Sequence, residues 1–290
     1  MTLTFRTALT QAALKAGLSA EGTRELEYVL RTLEGWSSAE LLLRCDDAAS
    51  TEVVQRLVKC ALQLARGVPA EYLIGRAEFD GVSVIVGKGV LVPRPETEWL
   101  VDHAVDVLTT RQGLSSPLVL DLCSGSGAIA LALAERLPGA SVVGLEINPA
   151  AVSCARESAA RLGLANRVAF IQGNVLGSWS AALQGWNRKA DAIVSNPPYV
   201  RAERLAAAHA ASPFEPVSAL YGGWNGLTFY RRIAAGAPAW LAPGGLLELE
   251  IDDGLEQAIL NLLCRAGLHD CRWSRDLAGL PRYVEAYQPE

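Results

Sequence analysis

The chain has 290 residues, with 26 basic and 31 acidic side chains and a formal net charge of -5. Apolar residues make up 50% and charged residues 20%, which excludes disorder as the main state, because disordered chains are poor in apolar residues and rich in net charge. The acidic balance also argues against binding nucleic acid by bulk electrostatics, whose footprint is basic.

Residues 1–75 read as a small helical module. The first segment is interrupted by Arg6, Gln11 and Lys15, so it fits a first helix better than a signal peptide. Leu26, Val29, Leu30 and Leu33, and then Val53, Val54, Leu57, Val58, Ala61 and Leu62, fall at helical spacing. Ser37 or Ser38 is placed to cap a helix starting near Ala39. Residues 76–95 read as a β-hairpin and linker, with Gly81 and Gly87 at bends and Val92-Pro93-Arg94-Pro95 extended, because residues before proline avoid the helical region. A helix is expected over 96–108, starting at Glu96 or Thr97.

From Leu118 onward strands and helices alternate. Strands are expected at 118–122, 141–146, 167–172, 190–195 and 245–251, and helices at 128–137, 149–162, 227–241 and 255–266. Two terminal strands are expected near 270–274 and 283–287. This alternation implies an α/β domain with a mainly parallel twisted sheet, covering 96–290.

No run reaches the roughly 20 uncharged apolar residues that span a bilayer; the longest, Ala128 to Ala134, ends at Glu135. The cysteines (Cys45, Cys60, Cys123, Cys154, Cys264 and Cys271) form no C-x-x-C pair, and His103, His209 and His269 are scattered. No metal site or disulfide framework is expected. The cysteines read as small buried apolar residues in a reducing cytoplasm.

Three features carry chemistry. The first is Asp121-Leu122-Cys123-Ser124-Gly125-Ser126-Gly127, which leaves a strand and opens a helix. Glycine allows the tight turn, and the helix N-terminus offers free N–H groups to an anion. The second is Glu146 at the end of the next strand, where an acid suits ribose hydroxyls. Together they indicate an adenosine-type cofactor, NAD or S-adenosylmethionine. The third feature separates these. An apolar strand runs into Asn196-Pro197-Pro198-Tyr199. The Asn196 oxygen and the Pro197 carbonyl are two acceptors able to hold one planar NH2 group, and Tyr199 offers a face to stack it.

This combination resembles the class I S-adenosylmethionine methyltransferases that act on planar NH2 groups. Within them the chain resembles the HemK/PrmC family of release factor glutamine N5-methyltransferases. The same resemblance covers Arg66 to Gly75, Val90 to Glu98 with its Val-Pro-Arg-Pro-Glu-Thr-Glu run, Phe214-Glu215-Pro216, Ala219 to Gly223 and Arg275 to Gly279. It implies a Rossmann-like methyltransferase domain preceded by a helical substrate-recognition domain. It also implies Cys123 to Gly127 around the methionine part of S-adenosylmethionine with Asp121 beneath. Glu146 would lie on the ribose, Ile147 on the adenine, and Asn174 and Val175 at the adenine edge. Asn196, Pro197, Pro198 and Tyr199 would hold the substrate glutamine, with Asn196 also touching the cofactor. Class I peptide-chain release factors are the implied protein substrate, in the cytoplasm, with no membrane, metal or nucleic-acid partner.

The chain departs from the family pattern at Cys123 (often Gly), Glu146 (often Asp), Asn174 (often an acid), Asn225 (often an acid) and Pro281. Arg94 reads either as shaping the substrate entrance or as part of the interdomain junction. Tyr221 and Trp224 read as covering the sheet edge, with a substrate-facing role as the other reading. Glu215 is a loose candidate for supporting the loop. The alternatives are an adenine-N6 methyltransferase on DNA or RNA, a non-catalytic cofactor-binding module, and a family paralogue with another protein or small-molecule acceptor.

Overall fold

The computed structural model describes residues 3–111, 114–183, 186 and 188–290. They divide into two compact units, residues 1–76 with 210–214 and residues 77–209 with 215–290.

The first unit is helical: α1 (Phe5–Ala16), α2 (Ala20–Leu33), α3 (Ser38–Arg44), α4 (Thr51–Leu64) and α5 (Ala70–Ile74). Each of the first four starts behind a hydroxyl side chain that accepts an N–H of the first turn: Thr4, Ser19, Ser37 and Ser50. Ser37, of the two serines considered, is the cap. Its core joins Phe5, Leu9, Leu26, Leu30, Leu57 and Leu64.

The chain then forms a hairpin of β1 (Arg76–Phe79) and β2 (Val82–Ile85). Asp80 and Gly81 at its tip both have positive φ, at 41° and 78°, as the tightest hairpin turns require. A 3₁₀ turn, Pro95–Thr97, leads into α6 (Glu98–Thr110). The helix thus starts at Glu98, because the Pro95–Thr97 segment winds more tightly. Then come β3 (Leu118–Leu122), α7 (Ala128–Arg136), β4 (Ser141–Glu146), α8 (Pro149–Arg161), β5 (Val168–Gln172), α9 (Trp179–Ala182) and β6 (Ala190–Ser195). The chain continues through α10 (Ala202–Ala211), α11 (Val217–Leu220), α12 (Thr228–Trp240), β7 (Leu241–Glu250), α13 (Glu256–Arg265), β8 (His269–Arg275) and β9 (Pro281–Tyr287).

The main sheet has the order β5-β4-β3-β6-β7-β9-β8. The first five strands are parallel, and β9 runs antiparallel to both β7 and β8. This is the expected α/β architecture. β3 and β6 are buried at every position, as strands covered on both faces should be. After β3 the chain moves outward through β4 and β5, then returns to place β6 on β3's other side. The carboxyl ends of β3 and β6 therefore flank the switch point of the sheet, where α/β folds open a crevice for ligands.

Several expectations need correction. β7 begins at Leu241, not 245, because Leu241 already pairs with Ala190 before the register shifts. The helices α9, α10 and α11 were not anticipated; Trp179, 2% exposed, anchors α9. The cysteines are all free, but only Cys45 and Cys60 are buried, and Cys264 is exposed. Trp224 is 84% exposed, so it covers no sheet edge. No helix among the described residues is long and apolar enough to cross a membrane.

Candidate active site

A cleft of about 810 Å³, counting its open mouth, lies at the carboxyl ends of β3, β4, β5 and β6. Its floor is the turn after β3. Cys123, Gly125 and Gly127 have φ of 61°, 53° and 81°, so the chain makes three left-handed steps within five residues. Gly127 has no room for a side chain: a Cβ there would stand 2.5 Å from Phe170 Cζ. A Cβ on Gly125 would meet nothing within 4 Å.

Asp121 lies beneath this turn, fully buried. One oxygen accepts the Ala130 N–H of α7 at 3.2 Å, and Oδ1 has no partner. Burial pushes its carboxyl well above the usual range, the Ala130 N–H opposing and the Glu146 charge adding to the rise. The carboxylate thus already serves one of the helix's free N–H groups.

Glu146 forms the next wall. Its Oε2 accepts Gly125 N–H at 2.9 Å and its Oε1 accepts Asn148 N–H at 2.7 Å. Asn148 in turn donates to Gly89 O at 2.6 Å, which ties the 87–91 loop to the cleft. Ile147, 53% exposed, and Val175 and Leu176 give the cleft an apolar side. Asn174 also lines it, but its Oδ1 accepts Leu176 N–H at 2.9 Å, forming a local turn.

At the far end stands Asn196. Its Nδ2 donates to Thr97 Oγ1 at 3.0 Å, and Thr97 Oγ1 donates to Glu250 Oε2 at 2.6 Å. The other Glu250 oxygen accepts the Tyr199 hydroxyl at 3.3 Å. Burial raises the Glu250 carboxyl, while Thr97, the charge of Arg282 and Tyr199 oppose the rise. Burial also holds the Tyr199 phenol well above its ordinary value, with the Glu250 charge adding to this, so Tyr199 is a neutral O–H donor. Behind the loop, Glu215 is buried; it accepts Val92 N–H at 2.9 Å and Arg94 Nη2 at 2.5 Å.

The cleft suits an adenosine-type ligand. A carboxylate that can accept from a ribose diol adjoins an apolar wall for a flat base, and the glycine floor leaves open space at Gly125.

Comparison with known proteins agrees. Residues 7–75 match a family model described as PrmC N-terminal domain, and residues 99–214 one described as Methyltransferase small domain. A release factor glutamine methyltransferase of Moorella thermoacetica is 36% identical over 293 residues, covering 99% of this chain and 100% of that one. The chain belongs to the release factor glutamine methyltransferase family. The family relative from Xylella fastidiosa (strain Temecula1) is 43% identical over 235 residues, 81% of each chain. A methyltransferase from Pyrococcus furiosus shares the fold at a TM-score of 0.52 and 20% identity, over 72% of this chain and 90% of that one.

Of the family positions singled out from the sequence, Cys123, Gly125, Glu146, Ile147, Asn174, Val175, Asn196 and Pro198 line the cleft. Asp121, Ser124, Ser126, Gly127, Pro197, Tyr199 and Arg94 lie outside its lining. Ser124 and Ser126 are buried in the turn, and Arg94 is engaged by Glu215. Sequence reasoning missed Thr97 as the partner of Asn196 and Glu250 as the partner of Thr97. A signal for the second existed: Glu248 and Glu250 occupy alternate places in an otherwise apolar strand, so both point to one buried face. Among the described residues, no group of three or more His, Cys, Asp or Glu side chains could hold a metal ion.

Proposed function

We propose that this chain methylates the side-chain amide nitrogen (N5) of the glutamine in the Gly-Gly-Gln motif of class I peptide-chain release factors, with S-adenosylmethionine as methyl donor. The observation that carries this reading is the Asn196 amide. It lines the cleft with its NH2 end committed to Thr97, which leaves its oxygen as the available end.

When bound, the cofactor supplies the methyl group on an electrophilic sulfonium: the sulfur–methyl bond would break as the nitrogen–methyl bond forms, leaving S-adenosylhomocysteine, and one amide proton would pass to solvent. Glu146 would hold its ribose hydroxyls and Ile147 its adenine, with Asn174 and Val175 at the adenine edge and the Cys123–Gly127 turn around its methionine part. Asn196 Oδ1 and the Pro197 carbonyl accept the two N–H bonds of the substrate amide. An amide nitrogen is a weak nucleophile because its lone pair is delocalised. Two acceptors fix its direction and draw electron density onto it, so the residues act by orientation and electrostatics. Tyr199 lies behind this end, packed against the core with its hydroxyl on Glu250. Arg94 braces the 92–95 segment beside this end through Glu215.

The helical unit would recognise the release factor. Its Leu42 and Leu43 are 75% and 82% exposed, an apolar pair available to a protein partner. The setting is the cytoplasm, where release factors work.

The test is methyl transfer from labelled S-adenosylmethionine to release factor, to release factor with its motif glutamine changed to alanine, and to unmethylated DNA. Label on the wild-type factor alone is expected. Label on DNA would instead assign adenine-N6 chemistry. Label on none of them, with cofactor bound, would assign another acceptor or a binding role.

A further inference from the structure

We propose that Thr97 and Glu250 form a positioning pair that fixes which end of the Asn196 amide faces the cleft, making that point a hydrogen-bond acceptor and so selecting a substrate NH2 group over a carboxylate. The inference rests on the reading of Asn196 as the acceptor of the substrate amide.

The oxygen and nitrogen of an asparagine amide have nearly the same shape, so only its hydrogen-bond partners decide which way it points. Here the partner is a hydroxyl with one proton. A buried carboxylate accepts that proton: Thr97 Oγ1 lies 2.6 Å from Glu250 Oε2, and Glu250 is 1% exposed. Against burial, the Thr97 hydroxyl, the Arg282 charge and the Tyr199 hydroxyl favour the ionised form of Glu250; a carboxylate is acceptor-only, so the Thr97 proton is directed toward it. What Thr97 then offers Asn196 is lone pairs, and only the NH2 end can approach at 3.0 Å. With the amide reversed, two oxygens would face each other with no proton between them.

The second Glu250 oxygen accepts the Tyr199 hydroxyl at 3.3 Å. Both oxygens therefore face hydroxyl donors, the closer being Thr97. Glu250 stands on β7, Thr97 before α6, and Asn196 after β6. Three separate segments hold one amide.

The consequence is chemical selection. An acceptor at Asn196 Oδ1 welcomes the N–H of glutamine and repels the oxygens of glutamate. If the relay is broken, the amide can present either end, and a glutamate side chain becomes a competitor.

The test compares T97S, which keeps the hydroxyl, with T97V, which keeps the shape, each checked for folding by thermal melt and for S-adenosylhomocysteine affinity. Release factor carrying glutamate at the motif position serves as competitor. In T97V, kcat should fall roughly 10- to 100-fold with cofactor affinity unchanged, and the glutamate factor should inhibit about tenfold more strongly. T97S should restore both. Equal kcat and equal glutamate inhibition in T97S and T97V would overturn the proposal. Neutron diffraction from the unmodified protein decides it without a variant. Deuterium on Thr97 Oγ1 directed at Glu250, with two deuterons on the Asn196 atom facing Thr97, is expected. Deuterium directed from Thr97 to Asn196 would overturn it. Absence of methyl transfer by the wild-type enzyme would instead defeat the proposed function, and the neutron result would still judge the relay.

Discussion

The carboxylate of Glu146 accepts the backbone N–H of Gly125 at 2.9 Å, joining the end of β4 to the turn that follows β3. With Asn148 N–H on its other oxygen, both oxygens face donors before any ligand arrives. A carboxylate oxygen has more than one lone pair, so a diol can still be accepted. Glu146→Ala should weaken S-adenosylhomocysteine binding roughly 10- to 100-fold, the loss of hydrogen bonds to a charged group. Glu146→Gln must turn its NH2 toward one of the two backbone N–H groups. It should cost about 1–2 kcal/mol of stability as well as affinity. Calorimetric titration and urea midpoints separate the two effects.

Asn196→Ala removes the acceptor at the far end of the cleft while leaving the Glu146 end untouched. Methyl transfer should fall by about 10²-fold or more, since positioning and a directed dipole are lost together. The cofactor dissociation constant should change by less than about threefold, because one lining contact among many disappears. Single-turnover transfer alongside cofactor titration checks the split. Near-wild-type turnover would remove Asn196 from the reaction.

Much of the cleft's lining was legible because its residues follow strands at fixed local spacing. Cys123 and Gly125, Glu146 and Ile147, and Asn196 and Pro198 each announce themselves within a few residues. The remainder depends on tertiary pairing. Thr97 and Glu250 are 153 positions apart, and Thr97 and Asn196 are 99 apart; no local pattern links them. Glu215 was only a loose candidate because its partners, Val92 and Arg94, lie more than a hundred positions away. The fold was legible for a related reason: alternating buried strands and helices are a local signal. The start of β7 was missed because Pro243-Gly244-Gly245 reads as a loop, yet the strand passes through it beside an irregular register with β6. Cys264 was read as buried from its residue type, but it falls on an exposed position of α13.

The two glycines of the β3–α7 turn should behave oppositely. Gly127→Ala meets both a positive φ of 81° and a contact of 2.5 Å with Phe170. Left-handed strain and overpacking together should cost about 2–5 kcal/mol. Gly125→Ala, at φ 53° with open space around the new Cβ, should cost about 1–2 kcal/mol from strain alone. Its new methyl group occupies the cleft edge, so cofactor affinity should drop in a protein that still folds. Urea denaturation and cofactor titration of both variants test the contrast. Equal destabilisation would show that Phe170 yields to the new side chain.

Stability should fall as pH rises through neutrality, because buried Glu248, on the face of β7 that also carries Glu250, pairs with half-buried His103 of α6. His103 Nδ1 lies 2.8 Å from Glu248 Oε1, and its Nε2 lies 3.1 Å from Glu285 Oε2. Trp99 stacks on the His103 ring at 5.0 Å. Burial opposes charge on His103, but the bond to Glu248 and the charges of Glu248 and Glu285 together raise its pKa above the ordinary 6.5, with Arg272 opposing. Burial pushes the Glu248 carboxyl from 4.5 up to about 7, His103 opposing. Both groups therefore hold protons more tightly in the folded chain than in the unfolded one. Their contribution is complete below the unfolded values. It declines as pH rises from about 4.5 through 7 for Glu248 and beyond 6.5 for His103, by at most about 1.4 kcal/mol per pH unit for each proton. The urea midpoint of the wild type should therefore fall between pH 5 and pH 8. In Glu248→Gln the carboxyl no longer titrates and His103 loses its strongest partner, so the slope should flatten. An unchanged slope in that variant would place the pH dependence elsewhere in the molecule.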